Sequence, residues 1–102
     1  MESQKYYITI TAISHYGGPE MFRPGMAIGL VKEHDNCFDD EAIAVYNEKG
    51  RKCGYVANSV DTTARGTYSA GRLYDKFKEE TAASILFVTP EEAIAEVKIK
   101  TK

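Results

Sequence analysis

Residues 30–56 read LVKEHDNCFDDEAIAVYNEKGRKCGYV, and the fold follows from this stretch. Its start continues an alternation in which Met26, Ile28 and Leu30 are in phase, so Met26 to Lys32 predicts a half-buried strand. Glu33 to Glu41 is polar and acidic and predicts a loop. Ala42 to Asn47 is rich in strand-forming residues, and Glu48-Lys49-Gly50-Arg51 reads as a turn in which Gly50 supplies positive φ. Lys52 to Val56 then returns as the partner strand, which makes a hairpin.

Working outward, Lys5 to Ile13 alternates, with Ile8, Ile10 and Ala12 on one side and Tyr7, Thr9 and Thr11 on the other. This is the period of a strand with one buried face. His15 to Gly25 holds three glycines and two prolines and predicts a loop. On the C-terminal side, Ser59 is placed to cap a short helix that Gly66 ends. Ser69 is placed to cap a second, kept short by Gly71, with Leu73 and Phe77 on one face. Ser84 to Val88 predicts a strand. Thr89-Pro90-Glu91-Glu92 has the form of a capping box with Pro at the first helical position, so one helical turn is expected there. Ala95, Val97 and Ile99 then alternate with Glu96, Lys98 and Lys100 as a closing strand. Six short strands in about 100 residues predict a small barrel or sandwich, read as one domain over residues 1–102.

Composition narrows the function. Hydrophobic residues make up 43% and charged residues 27%, as in an ordinary folded globule. No apolar run is long enough to span a bilayer, and MESQKYYITI has no charged-then-apolar leader, so a cytoplasmic protein with no membrane partner is expected. Cys37, Cys53, His15 and His34 include no CxxC or HxxxH pair, so free thiols and no metal or other cofactor are expected. The net charge of −2 argues against bulk coating of DNA, which needs a basic surface, and leaves room for a compact site holding a few nucleotides. Asp35, Asp39, Asp40 and Glu41 crowd one loop but lack the glycine of a calcium-binding loop. Cys37 and His34 have no evident orienting third group. Binding rather than catalysis is therefore expected.

The run LVKEHDNCFDDEAIAVYNEKGRKCGYVANSV resembles the signature of the HIRAN domain family. In that pattern a strand of the type L-V-[KR]-E leads into D/N-N-P-[YF]-D, then A-I-x-V, a turn, and G-Y/H-[VL]. The matching residues are Asn36, Phe38, Asp39, Ala42, Ile43, Val45, Gly54 and Tyr55, and the likeness runs from about Ile8 to Ile99. Gly54-Tyr-Val-Ala-Asn-Ser59 with the later Ser69-Ala-Gly-Arg-Leu-Tyr-Asp75 further resembles the small stand-alone HIRAN proteins of bacteria, rather than the HIRAN modules fused to eukaryotic fork-remodelling translocases. The resemblance implies a mainly β, OB-like or SH3-like six-stranded barrel with two short helices. It also implies a module that grips the free 3′ end of single-stranded DNA, acting in DNA repair or replication-fork processing beside a helicase, nuclease or other DNA-processing protein.

By the same resemblance, Asp39 is the acceptor for the terminal hydroxyl, and Phe38 and Tyr16 are stacking faces. Asn36 shapes the loop or meets a base edge, and Tyr55 faces the pocket. His15 and Asn58 occupy positions where fused members carry basic residues that touch phosphate. The sequence departs from the pattern at Cys37, which replaces Pro, and at Phe38, which replaces the commoner Tyr. His15 and Asn58 replace Arg and Lys, so weak to moderate DNA binding is expected. The remaining basic residues to consider are Lys49, Arg51, Lys52, Arg65, Arg72 and Lys76. The alternative is a protein-interaction domain that keeps the fold, has lost DNA binding, and offers the acidic loop to a basic partner.

Overall fold

The computed structural model describes residues 3–100. Six strands appear in it: β1 (Ser3–Thr11), β2 (Ala27–Lys32), β3 (Ile43–Tyr46), β4 (Lys52–Val56), β5 (Glu80–Val88) and β6 (Ala93–Lys100). All pairings between them are antiparallel, and they close into a barrel in the order β1-β4-β3-β2-β5-β6. One α-helix, α1 (Ala70–Tyr74), and two 3-10 turns, Ile13–Tyr16 and Pro19–Met21, complete the described elements. The mainly β, six-stranded OB-like barrel expected from the sequence is the fold found.

The alternating residues fill the interior. Ile8, Ile10, Leu30, Ile43, Val45, Ile85 and Val97 are all but fully buried. Each such side chain contributes roughly 1.5–3 kcal/mol by leaving water. Ile13 and Leu73, both fully buried, come from the 3-10 turn and α1 rather than from strands. Gly54 lets β4 approach β1 closely, because a Cβ there would stand 2.7 Å from the Thr11 carbonyl oxygen.

Several local expectations are corrected. β1 stops at Thr11 because Ala12 has φ 61, the left-handed region that non-glycine residues seldom enter. That residue swings the chain into the 3-10 turn carrying His15 and Tyr16, so the predicted loop is partly ordered as short turns. β5 starts four residues before the apolar run, at Glu80, because Glu80 to Ala83 already pair with β2. No helix forms between Ser59 and Gly66. Thr62 and Thr63 both return side-chain hydroxyls to the Ser59 carbonyl, and the Ala64 N–H is taken by the buried Thr9 hydroxyl. Such side-chain bonds compete with a helical ladder. Ser69 does cap α1, accepting from the Arg72 N–H at 3.3 Å, but Phe77 lies beyond the helix end. Thr89 accepts from the Glu92 N–H at 3.1 Å as a cap would, yet the Thr89 N–H also donates to the Glu92 carbonyl at 2.8 Å. The segment thus closes the β5–β6 hairpin instead of starting a helix.

Candidate nucleic-acid interface

The loop between β2 and β3 is built by its own side chains. Asn36 Oδ1 accepts the backbone N–H groups of Phe38 at 2.9 Å and Asp39 at 3.0 Å. This fold-back onto the next residues is the turn that Asn favours. It leaves the Phe38 side chain 95% exposed. Asp39 Oδ1 accepts the Glu41 N–H at 2.9 Å, and Oδ2 accepts from Asn58 Nδ2 at 3.0 Å. Asn58 Oδ1 in turn accepts the Gly71 N–H at 2.8 Å, so one amide ties the loop to α1. Asp39 is half-buried, and each carboxylate oxygen has one bond with room for another. Its carboxylate is therefore oriented without being used up.

A second cluster forms the wall opposite. Glu33 Oε1 accepts from the Tyr55 hydroxyl at 2.7 Å and from Asn36 Nδ2 at 3.0 Å, while Oε2 accepts from Lys52 Nζ at 2.6 Å. Lys52 Nζ also donates to the Tyr55 hydroxyl at 2.9 Å. Tyr16 meets Tyr55 edge to face, with ring centroids 5.9 Å apart. Lys52 Nζ lies 5.0 Å from the Tyr55 centroid and 5.7 Å from that of Tyr16. Burial pushes the Glu33 carboxyl up, but hydrogen bonds from Lys52, Asn36 and Tyr55 outweigh it and hold the group below the usual carboxylate range. The hydrogen bond to Glu33, then that to Tyr55, keeps the Lys52 ammonium protonated well above its ordinary range. Burial raises the Tyr55 hydroxyl, so it stays a donor near neutral pH.

These walls enclose an open groove of about 820 Å³. Of the residues singled out in the sequence, Tyr16, Asn36, Phe38, Asp39, Tyr55 and Asn58 line it. His15 does not; it sits exposed on the 3-10 turn, outside the lining. Of the basic residues considered, only Lys52 reaches the groove. Arg72 instead lies over the Tyr68 ring at 4.1 Å, and Lys76 near the Tyr6 ring at 5.7 Å. Sequence reasoning missed Glu33 as the hub of the second wall. Strand parity gave no signal for it: Glu33 follows the end of β2, and Tyr55 is in phase with the buried Cys53 of its own strand. Cys37 is exposed and Cys53 is buried, both as free thiols. Among the described residues, no three His, Cys, Asp or Glu side chains are grouped to hold a metal ion, and no helix is long and apolar enough to cross a membrane.

Comparison with known proteins bears on this site. A protein from Lactobacillus plantarum, solved as a structural genomics target, superposes with a TM-score of 0.61 at 20% identity, covering 97% of this chain and 100% of that one. The HIRAN domain of human HLTF superposes with a TM-score of 0.66 at 15% identity, covering 95% of this chain and 74% of that one. At these identities both likenesses establish the fold alone. No curated protein sequence matches the chain. The sequence itself matches the HIRAN domain model over residues 3–64, which takes in β1 to β4 and every residue that lines the groove. The chain belongs to the HIRAN domain family, a family of DNA-binding rather than catalytic domains.

Proposed function

We propose that the groove holds the free 3′ end of single-stranded DNA. The observation that carries this reading is the pairing of an outward Phe38 with an oriented, half-exposed Asp39 on the same locked turn. A terminal nucleotide offers a base face and a hydroxyl. Phe38 and Tyr16 supply ring faces, and base–aromatic stacking is worth about 1–3 kcal/mol per base. Asp39 accepts the terminal hydroxyl in a charge-assisted hydrogen bond. Asn36 and Asn58 are positioning residues, since both shape the loop that presents Asp39. Glu33, Asp35 and Asp39 line the groove against a single cation, Lys52. A terminal phosphate would meet that acidic lining, which gives the site its preference for an unmodified end.

The same reading takes residues 1–102 as one cytoplasmic binding domain without its own catalysis. It serves DNA repair or fork processing by delivering an end to a helicase or nuclease. The acidic lining supports a second reading, in which a basic protein segment occupies the groove. Fluorescence anisotropy separates the two. A labelled oligonucleotide with a free 3′ hydroxyl should bind roughly tenfold more tightly than its 3′-phosphorylated form, the size of one hydrogen bond to a charged group. Asp39→Ala should abolish that preference. Equal affinity for both ends would overturn the end-recognition reading, and binding of a lysine-rich peptide but of neither oligonucleotide would favour the second.

A further inference from the structure

Beside the groove lies a second, smaller one of about 420 Å³, floored by Met21 and Met26. Three cations line it: Arg23, Lys49 and Arg51. All three are exposed, and among the described residues none forms an ion pair. Glu20 and Glu48 also line it, leaving an excess of one positive charge. The first groove has the opposite balance, with Glu33, Asp35 and Asp39 against Lys52, whose charge Glu33 already meets.

The two grooves share a border. Tyr16 lines the first, and the next residue, Gly17, packs on Met21 of the second; a Cβ on Gly17 would stand 2.7 Å from Met21 Cγ and 3.8 Å from Arg51 Nη2. On the other side of that border Lys52 faces the first groove while its chain neighbour Arg51 faces the second. Gly17 has φ 109, a conformation that keeps this saddle free of a side chain. A bare saddle therefore joins an acidic, aromatic groove to a cationic one.

We infer that the second groove carries the phosphodiester backbone of the strand whose end sits in the first, with Arg23, Lys49 and Arg51 as its phosphate contacts. This rests on the end-binding reading above. The acidic groove accepts base, sugar and hydroxyl but disfavours phosphate, so the backbone needs cations outside it. The cationic groove begins where Tyr16 ends, and its thioether floor offers an apolar surface for sugars or bases without fixing a sequence.

Length dependence tests this. A dinucleotide with a free 3′ hydroxyl fills only the first groove, whereas an octanucleotide crosses the saddle. The octanucleotide should bind at least roughly tenfold more tightly, and the triple variant Arg23→Ala, Lys49→Ala, Arg51→Ala should remove that gain while leaving dinucleotide affinity unchanged. Its plot of log affinity against log salt should also flatten by about 2 for the octanucleotide, at about 0.7 for each phosphate no longer neutralised. All three residues are exposed, so the variant should fold, which circular dichroism checks. Equal affinity for the two lengths would overturn the track and leave the end site standing. A variant that weakens both lengths alike would also overturn it, because the cations would then serve the end site. Absence of binding by either length would overturn both readings.

Discussion

The barrel wall and the β2–β3 loop are held by different physics. Ile10 and Leu30 in the wall are stabilised by loss of water from apolar surface, which is non-directional and insensitive to pH. The loop has almost nothing to bury: Phe38 points out, and Asn36, Asp39, Asn58 and Glu33 fix its shape through directed bonds to backbone and to one another. A hydrogen bond contributes about 1 kcal/mol net, yet it dictates a direction, which burial does not. The wall therefore supplies most of the stability, and the loop supplies the orientation of the groups that face a ligand.

The largest effect should come from the wall. Leu30→Ala removes a fully buried side chain and should lower unfolding free energy by about 2–5 kcal/mol in urea titration. A loss below about 1 kcal/mol would mean that the interior is not packed as described. A smaller effect, and one that depends on pH, should come from Glu33. Its carboxyl titrates below an ordinary 4.5 in the folded protein, so its contribution is present above that value and is lost as pH falls through the folded pKa. Glu33→Gln should lower stability at neutral pH by on the order of 1 kcal/mol and flatten the fall in stability as pH drops below 4.5. Parallel acid profiles for the two proteins would break the contrast between wall and loop. The smallest effect on stability should be that of Phe38→Ala, within about 0.5 kcal/mol, because the ring touches little. The same change should weaken binding of a free 3′ end by about 1–3 kcal/mol, read by anisotropy. A Phe38 variant that unfolds more easily but binds unchanged would reverse its assignment.

How far the sequence could be read follows from the same division. The strands were legible because Ile8, Ile10, Ile28 and Leu30 recur at the period that burial of one face demands. The locked turn was legible because Asn36 acts on residues two and three ahead, a contact set by local geometry. The Glu33–Lys52–Tyr55 cluster was not, because it joins β4 to the residue after β2 across the intervening β3, and the β3–β4 register includes an irregularity at Val45/Tyr46 that no local pattern announces. The helix expected after Ser59 failed for a similar reason. Its cap and its terminating glycine were in place, but Thr9, fifty-five positions from Ala64, took the backbone donor that a helix would have used. The isolation of His15 from the groove was hidden as well, since it depends on the left-handed Ala12 that redirects the chain just before it.

Closure of the sheet has one more consequence. Every strand has a neighbour on both flanks. Where β4 leaves β1 after two residue pairs, the Ala57 and Tyr68 N–H groups take over by donating to the carbonyls of Thr9 and Tyr7. Along these closed stretches, among the described residues, an incoming peptide finds no free edge to extend. Recognition falls to side chains at the rim, so its determinants can be resolved by substituting residues singly, which a main-chain ladder would not allow.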